Sequence, residues 1–169
     1  ARMVSAQLRL ARQHALTRRK RVAVLFPSVD IKNHEGDSYG AGSGWSIDQL
    51  QWLKPYVNAS MRACYVDDYD SDTGTWPFAG WVSGTKWEYL PVGTSVFEAD
   101  EDSSSGFSTP ADVADSVDGT SWVTGVVFPV GIPMGDFSGN TTAGDSEDEL
   151  QNVRAVIFRA TGALAREEP

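Results

Sequence analysis

The spacing in this chain that most resembles a ligand set is acidic. Asp67, Asp68, Asp70 and Asp72 crowd one short stretch that ends at Gly74. Hard cations take several oxygens from a tight turn, and Asp68-x-Asp70-x-Asp72 supplies three carboxylates at the spacing of the first ligands of an EF-hand loop. The glycine comes one position late, and Ala79 stands where the bidentate glutamate belongs, so the stretch is not an EF-hand. Calcium held in an irregular loop by Asp68, Asp70 and Asp72 is the one metal site the spacing admits. A solvated acidic turn is the favoured alternative, and no other cofactor is expected.

The remaining chemistry-bearing residues form no constellation. Carboxylates pair in sequence at Glu98/Asp100 and Asp145/Glu147, but a glycosidase needs two carboxylates facing each other across a cleft, and nothing marks either pair as held that way. His14 lies in a helical run and His34 in a polar loop, with no partner at the spacing of a triad or a zinc site. Gly40-x-Gly42-x-Gly44 joins no strand to a helix, so it is not a phosphate-binding loop. The single cysteine, Cys64, sits in the apolar run MRACYV and reads as a buried small hydrophobe. The chain is therefore expected not to be an enzyme.

The element expected to organise the rest comes first. Residues 1–21 read as one helix, free of Gly and Pro. Val4, Leu8, Ala11 and Ala15 fall on one face and form a narrow stripe suited to close packing. The sequence begins within that helical pattern at Ala1, which is read as a stem whose upstream half is missing. Arg21–Pro27 follows as a strand apolar on both faces. Ser46 caps a short helix over Ile47–Leu53 ahead of Pro55. Further strands are expected at Ala59–Val66, Trp76–Ser83, Lys86–Leu90, Thr94–Glu98, a bent or edge strand within Ser121–Pro133, and Gln151–Ala160. Residues 99–119 and 135–149 are polar excursions. The expected fold class is α+β, with a long N-terminal helix packed on antiparallel sheet, in one domain over 1–169.

Charge divides along the same line. Seven of the 14 Lys and Arg residues lie within the first 21 positions, all 23 acidic residues follow Val29, and the net charge is -9. An acidic total argues against nucleic acid as a partner. A basic helix on an acidic body reads most simply as a solvated helix face on a soluble acidic surface; the sharper reading is a basic stem that docks on an acidic partner or on anionic lipid headgroups. No run is long and apolar enough to span a membrane.

Three passages resemble the minor pseudopilins of type II secretion and the related minor type IV pilins, the H-type pseudopilin in particular. The first is Leu10-Ala11-Arg12-Gln13-His14-Ala15-Leu16-Thr17-Arg18 leading into Val22-Ala23-Val24. The second is Trp87-Glu88-Tyr89-Leu90-Pro91-Val92-Gly93-Thr94-Ser95-Val96. The third is Val156-Ile157-Phe158-Arg159-Ala160-Thr161-Gly162. The resemblance implies a pilin-like fold and a filament subunit. It also implies a single membrane-spanning half-helix upstream of residue 1, with the folded domain in the periplasm. Other pseudopilin or pilin subunits and the inner membrane would be the partners. Val4, Leu8, Ala11 and Ala15 would seat the stem on its own sheet, leaving Arg2, Arg9 and Arg12 to meet acidic loops of a neighbouring subunit. The competing function is a secreted, non-catalytic carbohydrate- or calcium-binding β-domain.

Overall fold

The computed structural model describes residues 2–29, 31–33, 36–37, 39–40, 44–96, 127–138 and 149–166. Helix α1 spans Arg2–Arg18 and is 17 residues long, about 25 Å at 1.5 Å per residue. It stops short of the expected Arg21 because Arg19 takes a left-handed φ of 52°. That conformation ends a helix and redirects the chain, and strand β1, Val22–Leu25, begins three residues later. Helix α2 (Ile47–Leu53) has the expected cap: Ser46 Oγ accepts from the Gln49 amide, and the Gln49 side chain accepts from the Ser46 amide. Strands β2 (Ser60–Val66), β3 (Trp76–Trp81), β4 (Glu88–Tyr89) and β5 (Val127–Pro133), helix α3 (Met134–Ser138) and strand β6 (Glu149–Phe158) complete the described elements.

The expected architecture of a long helix on antiparallel sheet is not what forms. The helix is short, and the strands close on themselves. They run in the order β1-β6-β5-β3-β2, and β1 also pairs with β2, so five strands make a closed barrel and β4 attaches outside it to β2. Four of the five junctions are antiparallel. The fifth, β3 with β5 at Trp76/Val130 and Pro77/Gly131, is parallel. The physical reason lies in β1. All four of its residues are buried, and Val22–Leu25 is hydrogen-bonded along both edges, to Ala155–Phe158 and to Arg62–Tyr65. A strand paired on both sides leaves no free edge, and closure removes the exposed ladder that an open sheet must protect.

Alternation assigns the apolar residues to two layers. Ala23 and Leu25 of β1, Cys64 and Val66 of β2, Phe128, Val130 and Ile132 of β5, and Val153, Ala155 and Ile157 of β6 fill the interior. Val22, Val24, Met61, Ala63 and Phe158 face outward and meet Ala11 and Ala15 of α1. Two bulges keep the layers in phase. In β6 the register shifts where Gln151 and Asn152 oppose Gly131, with Asn152 at φ 60°. The extra residue lets Leu150 and Val153 face the same interior. In β3 the register shifts beside Ala79, so that Trp76, Phe78 and Trp81 all pack on the interior cluster.

Strand β5 is flanked on both sides and is not an edge strand. Its prolines are tolerated because the β3 ladder reaches it only at Val130 and Gly131, leaving Pro129 and Pro133 outside that pairing. The strand expected at Thr94–Glu98 does not form over residues 94–96: the Thr94 amide closes a turn on the Pro91 carbonyl and the Val96 amide donates to Asn58. The excursion 99–119, residues 139–148 of the excursion 135–149, and the pairs Glu98/Asp100 and Asp145/Glu147 lie outside the described residues, while residues 135–138 belong to α3 and Glu149 begins β6.

Candidate functional site

Helix α1 meets the barrel through Val4, Leu8, Ala11 and Ala15. Ala11 and Ala15 are fully buried, and Val4 and Leu8 pack half-buried against the same outward cluster. Alanine brings the helix backbone close to β1, so the fit depends on side-chain absence as much as on apolar area. The opposite face carries Arg2 and Arg9, both exposed. Neither makes an ion pair among the described residues. Arg12 is exposed as well, but its Nε donates to the Gly162 carbonyl at 3.1 Å. It is a tie between the first helix and the turn after β6, and this sets it apart from Arg2 and Arg9.

Where α1 turns into β1, the chain forms a half-open groove of about 860 Å³. Three elements build it. The helix exit gives Arg19, Lys20 and Arg21; the end of β2 gives Tyr65, Val66, Asp67 and Asp68; the end of β6 gives Arg159 to Thr161, and β3 adds Trp76 and Ala79. Four cations therefore face two carboxylates. Arg21 is ion-paired with Asp68 and its guanidinium lies 5.7 Å from the Trp76 ring. The Lys20 ammonium lies 5.5 Å from the Tyr65 ring. Aromatic faces hold cations in place without neutralising them. Arg19 and Arg159 are exposed and make no ion pair among the described residues. With four cations against two carboxylates among the described lining residues, the groove attracts anions.

The acidic turn does not gather into a cation site. Asp68 is committed to Arg21. Asp70 Oδ1 accepts from the Asp72 amide at 2.9 Å, and the Asp70 amide donates to Thr75, an arrangement that folds the turn on itself. Among the described residues no group of three or more His, Cys, Asp or Glu side chains is placed to hold a metal ion. The expected calcium ligands Asp68, Asp70 and Asp72 are thus brought into one turn but not onto one point.

The tryptophans mostly serve the core. The Trp45, Trp81 and Trp87 indole N–H groups donate to the carbonyls of Asp37, Asp136 and Phe137 at 2.7, 2.9 and 3.1 Å. Phe137 meets the rings of Trp87 at 4.8 Å, Tyr56 at 5.2 Å and Trp52 at 5.9 Å, pinning α3 and α2 to the same end of the barrel. Cys64 is fully buried, and burial pushes its thiol pKa far up, so it is inert.

The Arg18–Arg21 run is visible in the sequence as charge. That Arg159, Tyr65 and Trp76 join it is not, because barrel closure is what brings β6 and β2 to either side of β1. Comparison with family models, curated proteins and solved structures yields no match for this chain. Its class is therefore defined by its own geometry: a closed five-stranded barrel carrying an N-terminal helix and a basic groove at their junction. No described helix is long and apolar enough to cross a membrane.

Proposed function

We propose that this chain is a non-catalytic structural subunit of a filament of the type II secretion pseudopilus or type IV pilus kind. It assembles through its N-terminal helix, is held at the inner membrane by a segment upstream of residue 1, and carries its folded domain in the periplasm. The observation that carries this reading is the two-sidedness of α1. One stripe, Val4, Leu8, Ala11 and Ala15, is spent on the protein's own barrel, while Arg2 and Arg9 stand exposed on a helix with no acidic residue. The three passages that resemble minor pseudopilins support it, and so does the division into basic stem and acidic body. The carbohydrate- or calcium-binding alternative has less behind it, since the acidic turn is closed on itself and the indoles of Trp45, Trp81 and Trp87 are turned to internal carbonyls.

The test is charge reversal on the free face. Arg2→Glu together with Arg9→Glu should leave the domain folded by circular dichroism and reduce secretion or filament assembly by about tenfold or more, in line with like charges replacing an electrostatic contact. Arg12 is left intact because its tie to Gly162 is internal. Full secretion by the double variant would sink the reading.

A further inference from the structure

The groove at the helix–barrel junction is better built for a ligand than the free face of α1. It is concave, with a volume of about 860 Å³, enough for several residues of an extended peptide. Its cations are Arg19, Lys20, Arg21 and Arg159, and its internal carboxylates are Asp67 and Asp68; among the described residues only Asp68 is ion-paired, to Arg21. Tyr65 backs Lys20, which is held without being neutralised, while Arg21 lies against Trp76 and is ion-paired with Asp68. Three positive side chains therefore face the opening with no carboxylate partner among the described residues, on a chain whose total charge is -9. A locally basic concavity on an acidic protein selects for an acidic segment.

The chain itself carries such a segment. Residues 98–102 read Glu-Ala-Asp-Glu-Asp, four carboxylates in five positions; the other run of that density, 145–149, ends in Glu149, which is half-buried and paired with Pro133 in the barrel. We propose that the groove of Arg19, Lys20, Arg21 and Arg159 receives the acidic segment 98–102 of a second copy of this chain. Groove and segment are different patches of the molecule. A contact of that kind passes from copy to copy and can extend an assembly in one direction. The inference deepens the filament reading and rests on it for its setting, while the contact itself is measurable on the purified chain. Because Arg19 and Arg159 are solvent-exposed, they are the natural positions at which to lower the groove's charge without touching the core.

Lys20 is the reporter. A carbodiimide activates a carboxylate, and the Lys20 amine displaces the urea to leave an amide with no spacer, so only groups in direct contact couple. Mixing isotopically heavy and light chains and mapping the linked peptides separates links between copies from links within one. The expected result is a heavy–light link between Lys20 and Glu98, Asp100, Glu101 or Asp102. It should fall by about fivefold or more in half-molar salt, and similarly in Arg19→Gln/Arg159→Gln and in Asp100→Asn/Glu101→Gln/Asp102→Asn. Links found only within one chain, links from Lys20 to carboxylates elsewhere, no link, or a link indifferent to both sets of variants would each overturn the proposal. Loss of the Lys20 link with secretion still dependent on Arg2 and Arg9 removes the groove contact alone. A persistent link with secretion indifferent to Arg2 and Arg9 removes the filament reading alone.

Discussion

Gly162 shows how much one position decides. It sits at φ 75° in the turn after β6, its carbonyl accepts from Arg12, and a Cβ there would come within 2.8 Å of the Leu16 side chain. The left-handed backbone favours glycine, and a Cβ would also have to push the exposed Leu16 side chain aside. Gly162→Ala should cost about 1–3 kcal/mol, read as a lower Tm in thermal denaturation; an unchanged Tm would show that the turn does not clamp the helix. Glu149 carries a second residue-scale prediction. Burial first, and then the neighbouring Asp70 carboxylate, raise its pKa above the ordinary value. The fold therefore disfavours its ionised form, so Glu149 subtracts stability at neutral pH. That loss is relieved as pH falls through the raised pKa towards the unfolded value of about 4.3. Glu149→Gln should raise the Tm at pH 7 and flatten the gain the native chain shows on acidification to about pH 4.5. Equal pH slopes for the two chains would remove Glu149 as the cause.

At the scale of elements, the helix and the bulges carry the architecture. Ala11 and Ala15 are fully buried where α1 crosses β1, and a larger side chain there must lift the helix. Ala15→Leu should destabilise by about 1–3 kcal/mol through overpacking, seen as a lower urea midpoint with m unchanged. A neutral or stabilised variant would mean the seat has slack. The capping box of α2 and the seat of α1 are legible from sequence, because both are set by residues three or four apart that meet through helix geometry alone. The bulges at Ala79 and Asn152 are not. Each depends on which partner strand lies alongside, and each reverses the alternation that a one-strand reading would extrapolate. The same reason hides the interior place of β5, whose prolines suggest an edge until the short reach of the β3 ladder is known.

For the whole molecule, closure is the governing fact. β1 is four residues long but central, bonded on both edges and covered by α1 on its outer face, while β4 is two residues hanging on β2. In native-state hydrogen exchange the amides of β1 and of β6 opposite it should exchange last and those of β4 early, following the order of local opening. Faster exchange in β1 than in β4 would contradict the barrel. Closure also creates the groove, because it places Arg159 at the end of β6 and Tyr65 at the end of β2 on either side of the Arg19–Arg21 run.

The sequence by itself determines the basic helix, its alanine stripe, the capped α2, most strands, the buried cysteine and the separation of charge, since each follows from local periodicity, propensity or composition. Only the tertiary structure decides that the strands close into a barrel, that one junction is parallel and that Arg12 binds its own chain. It likewise separates the three aspartates of the acidic turn and assembles a groove from residues nearly the whole chain apart. Those outcomes depend on which edges pair, and strand edges are backbone groups that every sequence presents alike.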